Sequence, residues 1–452
     1  MILRRILIAN RGEIAVRIIR TCQLLGIETV LAASEADLDS MGARLADRTI
    51  CIGPANSSRS YLNVEAVVAA AQASQTDAIH PGYGFLSENP KLAALCDRAG
   101  VTFIGPTVEQ LEAVGDKLKA RAHAAAAGLT GVSGGEVHTL EDARQLADQL
   151  GWPVLIKAVG GGGGRGMKQV RAASELAAAM EMATAEAQAG FGDPRLYLER
   201  YISHGRHIEV QILGDGEDFI HLGTRDCSIQ RRYQKLLEEA PAPNLSQSLR
   251  EQMHRAAVAF AKQLKYRGVG TVEFLVDCDG DAFYFLEMNA RIQVEHPVTE
   301  AICGLDLVEE QIAIAEGRRL RYARRGIEFV GHAIECRINA EDWIHDFRPS
   351  PGTVTRALFP AGQGIRVDTH MQAGATVPPH YDALLGKLIV HGANRAEALQ
   401  KAQRALSNLE ISGVSTNLSM HSELLRNVEF ARGAVNTAFL ERFLQNRNSE
   451  AA

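Results

Sequence analysis

The sequence predicts a multidomain chain joining α/β and α+β architecture: a doubly wound, Rossmann-like parallel sheet, then a mixed middle region, then a strand-rich C-terminal module. Three observations carry this. Apolar runs of strand length alternate with helical periodicity up to about residue 114, a Gly115-Asp116-Lys117 triplet then opens an alanine-rich helix, and strand-type runs dominate from residue 331. Strand–helix alternation implies parallel pairing, because parallel neighbours need a crossover.

Taken in order, residues 6–9 are an apolar strand, and Ile14, Val16, Ile18, Ile19 and Leu25 follow with helical spacing up to Gly26. Residues 29–33 form the next strand, and the unit recurs with a helix over 66–73, a strand at 78–79, a helix over 92–99 and a strand over 101–104. The first strand-to-helix turn, Ala9-Asn10-Arg11-Gly12-Glu13, is not G-x-G-x-x-G, which excludes the dinucleotide reading. Beyond the helix 117–127, strand runs cover 154–157, 196–199, 207–212 and 219–222, with a helix over 174–189, and helices near 394–409 and 435–445 close the chain. These readings give domains at 1–114, 115–330 (with a lid at about 132–204) and 331–446, and a disordered tail over the last few residues.

The composition, 46% apolar and 23% charged with a net charge of -6, gives no global reason for a nucleic-acid or membrane partner. An anionic ligand must be held by local positive charge. The seven cysteines are scattered without a C-x-x-C pair, which fits a reducing compartment better than a disulfide framework. The N-terminal apolar run is short, contains Arg4 and Arg5 and has no cleavage pattern, and no stretch approaches a membrane span; a cytoplasmic location is expected.

Two constellations carry chemistry. The first is a strand delivering Lys157, followed by five glycines from Gly160 to Gly164. Glycine lets backbone N–H groups close on phosphate oxygens, and lysine adds a point charge. The flanks lack the Walker A pattern, and apolar residues resume at Met167, so the run is a phosphate-cradling loop inside a domain, with a second role as a water-excluding lid. The second is a hairpin over 271–289, where Glu273, Glu287 and Asn289 interrupt apolar strands. Glu287 and Asn289 are two apart and share a face. A two-residue Asp-Gly turn would turn Glu273 to the other face, so an odd-length connection, three residues with Gly280 left-handed, is predicted. Three oxygen donors on one face suit Mg²⁺. Arg291, Gln293 and Glu295 extend that row if the strand continues.

Nearly the full chain, about 1–446, resembles the biotin carboxylase subunit of bacterial acetyl-CoA carboxylase and related biotin-dependent carboxylases. The matching motifs are IANRGEIA at 8–15, HPGYGFLSEN at 80–89, GDK at 115–117, GGGGGRGM at 160–167, RDCSIQRR at 225–232, EMNARIQVEHPVTE at 287–300 and ECRINAE at 335–341. The resemblance implies an ATP-grasp fold flanked by the N- and C-terminal biotin carboxylase domains, and ATP-dependent carboxylation of biotin, carried on a separate protein, by bicarbonate through carboxyphosphate. It implies that Lys117, Lys157, Gly163, Gly164 and His207 contact ATP and that Glu199, Arg200, Tyr201 and Ile202 receive the adenine, with Gln230 and Tyr233 beside the nucleotide. By the same resemblance Glu273, Glu287 and Asn289 ligate Mg²⁺ (Mn²⁺ also suits them), Lys235, Arg291, Gln293 and Val294 hold bicarbonate, Glu295 deprotonates it, Arg337 steadies the biotin enolate, and Tyr83 neighbours the biotin ring. The chemistry needs those types: a carboxylate to remove the bicarbonate proton, a guanidinium fork for its oxygens, cations for the phosphoryl charge, and a dry site for carboxyphosphate.

Cys227 and Cys336 read as buried neutral thiols, and His296 as structural. The chain departs from the family pattern at Tyr233, where histidine or asparagine is usual, and at Leu24 and Gln363, where relatives place dimer-contact residues; a homodimer is still expected. No biotinylation motif follows, so the biotin carrier and the carboxyltransferase are expected as separate chains. Alternatives are a biotin carboxylase serving another acyl-CoA or small-molecule acceptor, a different ATP-grasp carboxylate ligase, and a silent ATP-binding subunit.

Overall fold

The computed structural model describes residues 2–160, 167–280, 282–323 and 326–451. Gly163 and Gly164 lie outside the described residues, and the expectations placed on them stop there. The N-terminal strands β1 (Arg5–Ile8), β2 (Glu28–Ala33), β3 (Arg48–Cys51), β4 (Ala78–His80) and β5 (Thr102–Phe103) pair in parallel in the order β3-β2-β1-β4-β5. The order reverses between β1 and β4. At such a switch point the loops leaving two neighbouring strands part and leave a crevice. Here Asn10, just after β1, bridges it by donating Nδ2 to the carbonyls of Pro81 and Tyr83, both at 2.7 Å. Gly82 has φ +63°, and a Cβ there would stand 2.8 Å from Asn10 Nδ2, so the close approach requires glycine.

A small antiparallel sheet follows, β6 (Gly134–Val137), β7 (Val154–Ala158), β8 (Met167–Val170) and β9 (Leu196–Arg200), in the order β6-β9-β7-β8. Its core is its own: Val154, Ile156, Val170 and Leu198 pack against the helices Leu140–Leu150 and Ala173–Phe191, the second contributing Leu176. The largest sheet carries β10 (Gly205–Asp215), β11 (Phe219–Arg231), β12 (Gln234–Ala240), β13 (Arg267–Asp277), β14 (Ala282–Asn289), β15 (His332–Asn339), β16 (Ile365–Thr369) and β17 (Leu384–Gly392). Their order is β14-β13-β10-β11-β12-β15-β17-β16, so strands of the middle region and of the C-terminal module form one continuous sheet. That continuity comes from β12 pairing with β15.

Three expectations need correction. The hairpin connection is not odd: Asp277 pairs with Ala282, the even register, and Gly280 is not left-handed. A β-bulge does what the odd loop was expected to do. Phe274 pairs with Phe285 but Glu273 with Glu287, so Leu286 is the extra residue and Glu287 is turned to the Glu273 face. The strand also stops at Asn289; the chain then runs irregularly to Glu295, the N-cap of the helix His296–Cys303. Pro297, in the first turn of that helix, fits a helix start and not a continuing ladder. Finally, the helix Phe439–Ala451 occupies the stretch that composition read as a tail.

Candidate active site

The site is a cleft of about 1220 Å³ bounded by the β1/β4 crevice, the small sheet and one face of the large sheet. It is built on a polar row along strand β10. His207, Glu209 and Gln211 alternate with the buried Ile208, Val210 and Ile212, so the polar three share a face. Across the ladder Glu209 stands opposite Glu273 on β13 and Arg225 on β11. Glu273 is the hub. Its Oε1 accepts from Lys235 Nζ at 2.9 Å, Asn289 Nδ2 at 2.9 Å and Gln293 Nε2 at 3.2 Å, and its Oε2 lies 3.0 Å from His207 Nε2. Burial alone would raise its carboxyl, but Lys235 and His207 outweigh it and hold Glu273 well below the carboxylate range. Reciprocally, His207 is raised by Glu273 against its own burial.

Glu287, opposite, is the contrasting acid. Among the described residues no hydrogen-bond donor engages it, and burial together with the Glu273 charge raises its pKa, Lys117 acting the other way. Two facing carboxylates plus the Asn289 amide oxygen are hard donors on one face, and the excess negative charge at Glu287 is what a small divalent cation would neutralise. The residues therefore fit Mg²⁺.

Lys117 and Lys157 supply the opposite wall. Lys117 opens the helix Lys117–Ala126, whose first turn is capped by Asp116 accepting from Leu118 and Lys119 N–H groups at 2.9 and 3.0 Å. Its Nζ contacts the Ala158 carbonyl at 3.4 Å, and burial lowers its pKa. Lys157, from β7, ion-pairs with Glu199 of β9. Arg200, Tyr201 and Ile202 continue from Glu199 along the cleft. Gln230 also lines it and donates Nε2 to the Cys227 carbonyl at 2.7 Å, and the same nitrogen lies 2.9 Å from His207 Nδ1. Tyr233 sits at the tip of a two-residue turn between Arg231 and Gln234, in which Arg232 and Tyr233 both have positive φ, +47° and +67°.

Deeper in, Arg291 is held as a fork. Nε donates to Glu88 at 2.9 Å, one terminal nitrogen to Gln293 Oε1 at 3.0 Å, and the other to Asn289 Oδ1 at 2.9 Å. Glu88 also accepts from the Ala290 N–H at 2.8 Å, so the N-terminal region fixes this turn. Val294 lines the cleft and its carbonyl accepts from the buried Lys387 at 2.8 Å. Lys387 in turn lies 3.1 Å from Glu13, which accepts the Tyr83 hydroxyl. Lys235 Nζ donates to Glu209 at 2.6 Å and to Glu295 at 2.7 Å, in addition to Glu273, and its pKa stands well above the usual value because these carboxylates outweigh burial. Arg337, from β15, donates to Glu238 at 2.6 Å and to Glu295 Oε2 at 2.8 Å.

Of the candidate catalytic, binding and metal residues named from sequence and described by the structure, all line this cleft except Glu295. Glu295 is fully buried behind Lys235 and Arg337, with each oxygen taken by one of them, and despite burial these cations hold it well below the carboxylate range. Sequence reading missed Glu88, Glu209, Arg225, Lys387 and Glu13. The alternating polar residues of β10 were the available signal for Glu209, and Glu13, Glu88 and Arg225 stand inside the matched motifs; Lys387 is joined to the site by tertiary contacts.

Three family models cover nearly the whole chain: "Biotin carboxylase, N-terminal domain" over 2–111, "Carbamoyl-phosphate synthase L chain, ATP binding domain" over 116–323, and "Biotin carboxylase C-terminal domain" over 335–442. A protein of Nostoc named biotin carboxylase is 50% identical over 97% of this chain and 98% of its own. The chain belongs to the biotin carboxylase family. The fold agrees. A Campylobacter jejuni biotin carboxylase, solved as a β,γ-ATP complex, superimposes with TM-score 0.94 at 45% identity, covering 97% of this chain and 99% of that one. The biotin carboxylase domain of a Hydrogenobacter thermophilus 2-oxoglutarate carboxylase, solved as a dimer with MgADP, ADP and bicarbonate, gives TM-score 0.94 at 44% identity with 98% of each chain covered. Proteins named biotin carboxylase and the corresponding domain of a 2-oxoglutarate carboxylase are thus alike in this fold. Among the described residues no helix is long and apolar enough to cross a membrane.

Proposed function

We propose that this chain carboxylates biotin borne on a separate carrier protein, using ATP and bicarbonate and releasing ADP and phosphate. The observation that carries this reading is the connected network Glu273–Lys235–Glu295–Arg337, with Glu287 facing Glu273 across the ladder, which joins a divalent-metal face to a buried acid and a guanidinium at the far end of one cleft. Lys117 and Lys157 bind the nucleotide phosphates, and Glu199, Arg200, Tyr201, Ile202, His207, Gln230 and Tyr233 line the nucleotide's course. Mg²⁺ (or Mn²⁺) on Glu273, Glu287 and Asn289 supplies charge neutralisation for phosphoryl transfer when bound.

Arg291, Gln293 and the Val294 backbone orient bicarbonate, with Lys235 as a further cation. Glu295 is the base. In the structure both its oxygens are engaged by cations, which makes it a weak base; bicarbonate arriving as an anion competes for Lys235 and Arg337, frees a Glu295 lone pair and raises its pKa toward that of its task. After carboxyphosphate forms and collapses to CO₂ and phosphate, Arg337 is the permanent charge facing the ureido oxygen. Tyr83 lines the same end.

The membership we favour is acetyl-CoA carboxylase, in fatty acid biosynthesis, with separate carboxyltransferase subunits, a homodimeric chain and a cytoplasmic location. A carboxylase of another acceptor is the second reading, favoured by the likeness to the 2-oxoglutarate carboxylase domain. The test is phosphate release. Turnover that requires bicarbonate and rises with free biotin supports the proposal; turnover that requires an amine instead, or none at all, overturns it. Identifying the subunits that copurify with the biotinylated partner decides between the two acceptor readings.

A further inference from the structure

Behind Arg337 the sheet buries two carboxyl groups that the reaction above does not use. Glu238 on β12 and Glu335 on β15 are cross-strand partners, so both leave the same face of the sheet, and both are 0% exposed. Glu238 Oε1 accepts from Arg337 Nε at 2.6 Å, but Glu238 Oε2 and both Glu335 oxygens meet no donor among the described residues. Beyond them this face is apolar: Ala240, Ala333 and Ile389 cluster with Val298 and Ile302 of the helix His296–Cys303.

The charged and titratable groups facing the pair come from five directions: Lys235 on its own strand, Arg337 on β15, Glu295 from the turn before the helix, Lys387 on β17 and the neutral Cys227 thiol on β11. The two lysines are committed elsewhere, Lys235 to Glu209, Glu273 and Glu295, and Lys387 to Glu13 and the Val294 carbonyl. Among the described residues only Arg337 bonds to the pair, and it is shared with Glu295. Glu295 has Lys235 as well, which leaves Glu238 and Glu335 with one shared guanidinium between them, and an uncompensated buried carboxylate takes up a proton instead.

We propose that Glu238 and Glu335 form a proton-holding carboxyl pair that positions Arg337: Glu335 keeps its proton, Glu238 exchanges its own with water, and ionised Glu238 fixes the guanidinium for the biotin half of the reaction. Burial above all, with Glu295 adding to it and Arg337 opposing, pushes Glu238 up to about 7, and burial drives Glu335 well above the carboxylate range even against Lys387. Glu238 is thus a positioning residue acting through Arg337. The assignment of its purpose rests on the biotin carboxylase reading; the proton on Glu335 does not.

Two measurements on the full chain test it separately. Infrared spectroscopy across neutral pH is expected to show a carboxylic C=O absorption that persists above about pH 8 and disappears in Glu335→Gln. No such band, or one that Glu335→Gln leaves in place, overturns the pair. In biotin-stimulated turnover, the wild-type rate is expected to fall below about pH 7. Glu238→Gln should remove that acid limb and lower biotin-stimulated turnover about tenfold with KM for ATP unmoved; an equal rise in KM for ATP would show a merely structural role and overturn the proposal. Glu335→Gln should keep the limb where it is, because a neutral amide replaces a neutral acid. Glu335→Leu removes a polar neighbour and should move the limb to higher pH; movement to lower pH would mean that Glu335 is ionised and sinks the proposal. Were biotin-stimulated turnover absent altogether, the function reading would fall while the infrared band still decided the pair.

Discussion

Glu273 and Glu287 stand directly opposite one another because Leu286 is bulged out of the ladder between β13 and β14. One additional residue on one strand reverses the facing of everything beyond it, so the metal face depends on that bulge rather than on the turn. Glu273 is saturated by protein donors, whereas Glu287 has none among the described residues, and the two acids accordingly play different parts.

Replacing Glu287 by Gln removes the acid whose charge is not already matched. Steady-state ATPase assays at saturating bicarbonate are expected to show kcat reduced about 100-fold, partly restored by raising Mg²⁺. Undiminished turnover at ordinary Mg²⁺ would refute the metal assignment.

The Arg291 fork depends on planarity, since three separate acceptors in Glu88, Gln293 and Asn289 are met from one guanidinium. Lysine offers a point charge without that geometry. Arg291→Lys is expected to raise KM for bicarbonate about tenfold or more, and Glu88→Gln to do so by a smaller factor, with KM for ATP little changed in both. A change confined to ATP would place Arg291 in a different role.

The turn at Arg232-Tyr233 places two non-glycine residues at positive φ. A side chain with Cβ in that region costs about 1–2 kcal/mol, and asparagine tolerates it better. Tyr233 is 42% exposed, so little packing is lost on replacement. Tyr233→Asn is expected to stabilise the chain by about 1 kcal/mol in chemical denaturation while changing KM for ATP. Lower stability would show that the tyrosine ring makes contacts that outweigh the backbone gain.

Buried neutral histidines set the response to acid. His80 and His370 are held down to about 3 and His421 to about 4, chiefly by burial. In the unfolded chain the same rings take protons near pH 6.5. Between that value and the depressed ones the unfolded state holds more protons, so stability falls as pH falls. Each ring contributes a loss of about 2 kcal/mol at about pH 5. Urea titrations at neutral and mildly acid pH should show the midpoint dropping well before carboxylates titrate; a midpoint independent of pH across this window would refute the neutral, buried assignment.

What the sequence by itself determined was the set of local patterns. Apolar runs alternating with helical periodicity specified the parallel sheet of β1 to β5, because a strand buried on both faces and its covering helix each leave a periodic mark. The Glu287–Asn289 spacing specified a shared face, since strand side chains alternate without exception within a regular ladder. Tertiary structure decided everything that depends on register or on partners distant in the chain. The bulge at Leu286 leaves no residue signature. The end of β14 at Asn289 turned the row Arg291, Gln293, Glu295 from an imagined strand face into a folded turn tied by Glu88 and Lys387. Glu295 was placed out of contact with the cleft by two cations from β12 and β15, strands that become neighbours only when the middle region and the C-terminal module share a sheet. Charge is a property of the assembled network: whether Glu238 holds a proton is set by which acids and bases the fold packs beside it, and no window of sequence contains them all.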